Sequence, residues 1–138
     1  MILRVYTDGG SLNNPGKAAS AYIIYQDNEL LAQEGKNIGI NSNNVAEYRA
    51  LIMAWEKIIT LLRNKTFTSV EKIEFISDSL LMVNQLLGIY RVKDQDLKQL
   101  YLKVKELETK TRIKFTYTHV LREKNSQADS LVKKALYS

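Results

Sequence analysis

Three strand-like segments precede the first helical pattern of this chain, and that order limits the fold more than any other feature. Residues 2–7 (ILRVYT), 18–25 (AASAYIIY) and 30–38 (LLAQEGKNI) read as strands. The last two are joined through Gln26-Asp27-Asn28-Glu29, where Asp-Asn suits a tight hairpin turn. The three strands therefore form an antiparallel meander. A helix follows, in which Val45, Tyr48, Ile52, Trp55, Ile59 and Leu62 step by three and four onto one face. Residues 70–77 (VEKIEFIS) read as the next strand, and Ser79–Leu87 as a short helix closed by Gly88. Residues 95–108 form a third helix with Leu97, Leu100, Tyr101, Val104 and Leu107 toward the core. Residues 111–120 alternate Ile113, Phe115 and Tyr117 with Lys114, Thr116 and Thr118, the period of a half-buried strand. The last helix carries Ala128, Leu131, Val132, Ala135 and Leu136 on one stripe.

The order β-β-β-α-β-α-α-β-α is that of an α/β protein. A hairpin-built half followed by crossover helices requires a mixed sheet with helices on its faces. The strand after the first long helix is expected to lie parallel to the first strand, through a right-handed crossover. At 138 residues the chain suits one domain, residues 1–138, that buries a core without staples. It has no cysteine, which excludes disulfides and thiolate chemistry. The start Met1–Tyr6 is too short and, with Arg4, too charged for a signal peptide, and no apolar run reaches membrane-spanning length. A cytoplasmic protein with no membrane partner is the expectation. The net charge of +5 favours a polyanionic partner without identifying one.

Four acids stand at the ends of these elements. Asp8 ends the first strand in "YTDGGS", and Asp78 ends the fourth in "FISDSL". Glu47 lies in the first turn of the long helix, and Asp129 opens the last helix in "NSQADSL". Each has a structural reading. Glu47 follows Asn44 by three and Asp129 follows Ser126 by three, the spacing of capping-box acids. Asp78 suits an N-cap, and Asp8 could stabilise its own turn. Taken together they read differently. If the first and fourth strands are parallel neighbours, Asp8 and Asp78 emerge roughly 5 Å apart. Two carboxylates at that distance repel by about 3 kcal/mol at an effective dielectric of ~20. Adding Glu47 and Asp129 worsens this unless cations bind. An all-oxygen cluster with only His119 as a nitrogen ligand favours a hard ion such as Mg²⁺ or Mn²⁺. Such clusters serve phosphoryl chemistry.

The stretches "YTDGGSLNNPG", "NNVAEYRAL", "ISDSLLMVNQL" and "HVLREKNSQADSLVKKAL", in that order, resemble the type 1 ribonucleases H over nearly the whole chain. The resemblance implies a ribonuclease H-like five-stranded mixed sheet: three antiparallel strands, two parallel crossover strands, and helices on both faces. It implies two-metal hydrolysis of the RNA strand of an RNA·DNA hybrid, leaving 5′-phosphate and 3′-hydroxyl ends. Asp8, Glu47, Asp78 and Asp129 fall on the family's four metal-site acids, with two Mg²⁺ expected and Mn²⁺ as a substitute. Gly9, Gly10 and Ser11 let backbone approach a phosphate or a 2′-hydroxyl. Asn14, Asn43 and Asn44 can hydrogen-bond to sugars and base edges in a minor groove. Helix capping is the structural reading for Asn43 and Asn44, and Trp55 is read as core packing.

Two departures from the best-known bacterial members bear on function. The long basic insertion that grips the DNA strand there is reduced to "LLGIYRVKDQDLKQLY", with Arg91, Lys93 and Lys98. The histidine loop is compressed to "HVLREKNSQAD", as in the shorter branch of the family. His119 comes too early in that loop and is expected to pack or bond at the sheet edge. Arg122 and Asn125 are expected to face the scissile region, Arg122 as an electrostatic clamp. A solvated loop charge is the bland alternative for Arg122. Two further readings are a ribonuclease H domain of a retroelement reverse transcriptase and a non-catalytic hybrid-binding or double-stranded-RNA-binding module. A free-standing, monomeric enzyme is the simpler expectation.

Overall fold

The middle strand of the sheet is β1 (Ile2–Ser11) in the computed structural model, which describes residues 1–67 and 69–138. On one side it pairs antiparallel with β2 (Gly16–Gln26), which pairs antiparallel with β3 (Glu29–Asn41). On the other side it pairs parallel with β4 (Lys72–Ser77), which pairs parallel with β5 (Lys114–His119). The order β3-β2-β1-β4-β5 is the mixed sheet that the element order requires. Asp27 turns the β2–β3 hairpin in the left-handed region at φ 54°, which a short polar side chain tolerates. Its Oδ1 accepts from the Ile2 nitrogen at 3.0 Å, tying the turn to the start of β1.

Helices α1 (Asn43–Arg63), α2 (Leu80–Leu86) and α3 (Gln95–Glu108) cover one face of the sheet. Their apolar sides meet Leu3, Val5, Ile24, Ile73, Phe75 and Tyr117 in the main core. Trp55 is fully buried there, its ring centroid 4.7 Å from Phe75 and 5.3 Å from Phe115. Its Nε1 donates to the Tyr117 hydroxyl at 3.1 Å, and that hydroxyl donates to Glu108 Oε2 at 2.7 Å. Trp55 is a packing residue, as its spacing on the helix implies. Helix α4 (Ser126–Leu136), entered through a 3₁₀ turn at Arg122–Asn125, covers part of the other face. Val132 and Leu136 pack there on Ala19 and Ala21 of β2. Among the described residues no helix is long and apolar enough to cross a membrane.

Several boundaries and faces differ from the sequence reading. β1 does not end at Asp8; it runs to Ser11, because β2 stays paired with it through Asp8↔Ala21, Gly9↔Ser20, Gly10↔Ala19 and Ser11↔Ala18. β5 starts at Lys114 and not at residue 111, since the Ile113 nitrogen bonds the Thr111 hydroxyl at 3.2 Å in a local turn. The buried face of α1 is also rotated from the expected stripe. Val45, Ile52 and Leu62 are only partly buried, while Ala46, Ala50, Leu51, Ala54 and Ile58 are fully so. Three alanines let the helix lie close to the sheet, and closeness outweighs the size of the side chains at the stripe's edge.

That close approach is tightest at Gly9. A Cβ there would fall inside contact distance of the Ala46 carbonyl and 2.5 Å from the Glu47 nitrogen. Next to it, the buried Ser20 hydroxyl donates to the Ala46 carbonyl at 2.7 Å. Gly9 is thus a seat for the start of α1, whose backbone cannot yield without dragging Glu47 with it. Gly9→Ala is expected to lose at least about 2 kcal/mol of stability in urea denaturation, by overpacking against backbone. Gly10→Ala is the control: its Cβ would meet Val132 Cγ1 at an ordinary 3.8 Å. That variant should stay within about 0.5 kcal/mol of the parent. Equal losses in the two variants would show that the helix seat is not the constraint.

Candidate active site

The β1–β4 ladder stops at Thr7↔Ser77, so Asp8 and Asp78 leave neighbouring parallel strands side by side. β1 continues along β2, whereas the chain after Ser77 turns away. The Ser77 hydroxyl accepts from the Ser79 nitrogen at 3.0 Å, and the Ser79 hydroxyl accepts from the Met82 nitrogen at 3.2 Å as the N-cap of α2. Asp78 is therefore not a cap, and its carboxylate is left to the cleft. Glu47 reaches the same place from α1. Ser42 caps that helix, accepting from the Val45 nitrogen at 3.1 Å. Neither Asn43, Asn44 nor Glu47 serves the cap, so the capping-box reading of Glu47 fails. One oxygen from each of Asp8, Glu47 and Asp78 lies within 4.8 Å of the others.

The trio is hidden and crowded. Asp8 and Glu47 are 6% and 8% exposed, and Glu47 Oε1 is buried with no hydrogen-bond partner. An unpaired buried carboxylate oxygen is costly unless it binds a proton or a cation. Burial, followed by the charges of Asp78 and Asp129, raises the Asp8 carboxyl to about 8. Burial, followed by the charges of Asp8 and Asp78, likewise holds Glu47 well above the usual carboxylate range. Asp129 behaves oppositely. Burial pushes its carboxyl up, but Lys133 and Arg122 outweigh that and leave it below its ordinary value.

Asp129 is not within the trio's grouping; it stands at the rim, on the fourth residue of α4. It does not cap that helix either. Its Oδ2 is 3.0 Å from Lys133 Nζ, and its Oδ1 is 3.5 Å from Arg122 Nη2. All four acids line one cleft of about 570 Å³, together with Gly9, Gly10, Ser11, Asn43, Arg122 and Lys133. The expectation that the turn aims Arg122 at the acids holds for its contact with Asp129, although the side chain is 75% exposed.

The polar residues near the acids differ in what they bond. Asn43 Oδ1 accepts from both the nitrogen and the hydroxyl of Ser11, at 2.8 and 2.9 Å. The Asn43 nitrogen donates to Asn14 Oδ1 at 3.0 Å. These bonds stitch the loop after β1 to the start of α1 and leave the side-chain NH₂ groups of Asn14 and Asn43 as available donors. Asn44 is exposed on the first turn of α1. Asn125 departs from its expected place facing the scissile region. It is 1% exposed, and its Nδ2 donates to the Thr7 carbonyl at 2.8 Å. It anchors the end of the 3₁₀ turn to β1, because the turn directs its last residue inward. His119 closes β5 opposite Ser77 and does not line the cleft. Lys133 escaped the sequence reading. Its signal was the Asp129–Lys133 spacing of four on a helix, with the acid on the N-terminal side, the favourable orientation for such a pair.

Residues 6–135 match the model of the reverse-transcriptase-like family. The chain is 36% identical over 135 residues to ribonuclease HI of Halobacterium salinarum, covering 97% of this chain and 64% of that protein. It is 33% identical over 138 residues to a bifunctional protein of Mycobacterium tuberculosis, covering 99% of this chain and 36% of that one. The chain thus spans less than two thirds of the length of either relative. Among solved structures it is similar to LC11-RNase H1 in complex with an RNA/DNA hybrid, with a TM-score of 0.89 and 34% identity. That match covers 98% of this chain and 96% of the other. With the β3-β2-β1-β4-β5 sheet and the acid trio of Asp8, Glu47 and Asp78, these likenesses place the chain in the type 1 ribonuclease H family.

Proposed function

We propose that this protein is a metal-dependent endoribonuclease that hydrolyses the RNA strand of RNA·DNA hybrids, leaving 5′-phosphate and 3′-hydroxyl ends. The observation that carries this reading is the meeting of Asp8, Glu47 and Asp78, with the partnerless Glu47 Oε1 among them. That donor set fits a hard divalent cation: it is all oxygen, with Asp8 and Glu47 buried and Asp78 half-buried, and electrostatically unsatisfied as it stands. Asp8, Glu47, Asp78 and Asp129 would hold two Mg²⁺, with Mn²⁺ as a substitute. Mg²⁺ held there supplies activation of water and neutralisation of charge at the scissile phosphate. The similarity to LC11-RNase H1, whose solved complex contains an RNA/DNA hybrid, supports the choice of nucleic acid.

The chain's own residues do the remaining work. Ser11, Asn14 and Asn43 form one hydrogen-bonded shelf beside the acids. Its free amide donors suit 2′-hydroxyls and base edges in a minor groove, which is how a site tells RNA from DNA. Arg122 reaches across the rim and holds positive charge toward the scissile phosphate or its leaving oxygen; its guanidinium stays protonated, so it serves as a clamp and not as a proton donor. A single chain carries every residue of this site, so a monomer suffices.

Labelled RNA·DNA hybrid, duplex RNA and duplex DNA, each with Mg²⁺, Mn²⁺ or chelator, test the proposal. RNA cleavage is expected in the hybrid, lost in chelator and in Asp78→Asn, with hybrid binding largely kept. Full activity of Asp78→Asn would overturn the metal assignment, and equal cleavage of duplex RNA would broaden the substrate. Arg122→Ala should lower turnover roughly tenfold to a hundredfold, and His119→Ala much less. The reverse ranking would remove Arg122 from the site.

The raised carboxyls give a prediction that needs no substrate. Asp8 binds its proton more tightly folded than unfolded, so its contribution to stability is complete below about pH 4 and is lost as pH rises toward about 8; Glu47, raised chiefly by burial, contributes in the same sense. Asp129, held low, contributes in the opposite sense, and its loss falls on the acid side. In chelator the melting temperature should therefore fall between about pH 5 and pH 8.5, and Mg²⁺ should flatten that decline. Thermal scans across pH check this; a profile in chelator that is flat, or that Mg²⁺ leaves unchanged, would contradict it.

A further inference from the structure

We propose that Lys133 is a built-in counter-ion that occupies Asp129 until a divalent cation takes it, and so sets the cation concentration at which the cleft fills. This rests on the metal reading above and assigns a positioning residue to it. Both oxygens of Asp129 already face a cation, Oδ2 toward Lys133 at 3.0 Å and Oδ1 toward Arg122 at 3.5 Å. Arg122 comes from the 3₁₀ turn and is three-quarters exposed. Lys133 lies one turn beyond Asp129 on the same helix, whose register is fixed by buried Ala128, Val132 and Leu136. The helix thus roots the Lys133 side chain beside Asp129, and the ammonium reaches the carboxylate from a side chain that is 61% exposed.

The trio has no such partner. The four acids share one cleft, yet the cationic side chains that touch them go to Asp129 alone among the described residues. A divalent cation that enlists Asp129 must meet or displace the ammonium, and the repulsion opposes binding. Without Lys133 only Arg122 would offset Asp129, more of its charge would add to that of Asp8, and the cleft would draw cations more strongly. The bland alternative is an ordinary solvated pair at helix spacing, which supports α4 but leaves cation uptake unchanged.

Calorimetric titration of MgCl₂ into the metal-free protein separates these, using the parent chain, Lys133→Met, Lys133→Arg, Asp129→Asn and the Asp129→Asn/Lys133→Met double variant. Lys133→Met should tighten the apparent Kd for Mg²⁺ roughly threefold to thirtyfold, while Lys133→Arg stays within about twofold of the parent. In the Asp129→Asn background Lys133→Met should change the Kd by less than about twofold, because the coupling is gone. Melting in chelator gives a second readout: Lys133→Met should lower the midpoint by about 1–3 °C, and not when Asp129 is already Asn. An unchanged or weaker Kd in Lys133→Met, with the parent binding Mg²⁺ normally, overturns the inference and leaves the metal reading intact. A parent that takes up no more Mg²⁺ than Asp78→Asn overturns both.

Discussion

The acid cleft of this molecule depends on how closely the first turns of α1 lie on β1. The helix backbone at Ala46 and Glu47 occupies the space that a side chain at position 9 would need. Two sets of hydrogen bonds hold it there: the buried Ser20 hydroxyl on the Ala46 carbonyl, and the Ser11–Asn43–Asn14 stitch at the rim. The contact carries Glu47 to within reach of Asp8 and Asp78, which the parallel β1–β4 pairing has already set side by side. A helix lifted by the width of one methyl would take the carboxylate out of a grouping that spans only a few ångströms. Core packing and site geometry are therefore one constraint.

The same closeness makes the site expensive. Three carboxylates in a nearly dry corner repel, and each must shed solvent, so the metal-free fold favours protons on Asp8 and Glu47. This is the pattern expected where a fold trades stability for function: the groups that destabilise the cleft by mutual repulsion are those whose chemistry suits a divalent cation. Lys133 and Arg122 moderate the tension at one acid only. The cleft is graded, hungry for charge at its base and half-neutralised at its rim.

Much of this was legible in the sequence, and the parts that were not share a physical cause. The antiparallel half of the sheet followed from three strands before a helix, and the placement of Asp8 beside Asp78 followed from one parallel pairing. Those inferences use chain connectivity, which sequence records directly. Which acid caps a helix does not follow that way. Ser42 and Ser79 took the caps of α1 and α2, one residue away from the Asn43–Asn44 pair and from Asp78, because caps are decided by local φ/ψ as much as by residue type. The buried face of α1 was set by its alanines, whose contribution is distance and not hydrophobic bulk. Asn125 and Lys133 were misjudged or missed for the same reason. Their roles depend on which way a short 3₁₀ turn points its last residue and on where the following helix begins.

The uneven layering around the sheet carries a dynamic meaning. Asp8, Glu47 and Asp78 stand on β1, on α1 and just past β4, the elements packed around Trp55, so their grouping is tied to the main core. Asp129, Lys133 and Arg122 ride on α4 and the turn before it, which are held by a small cluster of Ala19, Ala21, Val132 and Leu136 and by the Asn125–Thr7 bond. A helix held by the smaller of the two cores is expected to open at a lower free energy than the elements of the larger one, which amide exchange would read as subglobal fluctuation. The cleft therefore has two walls of unequal anchorage, and any opening of α4 would carry off the fourth acid together with Arg122 and Lys133 while Asp8, Glu47 and Asp78 stayed in place.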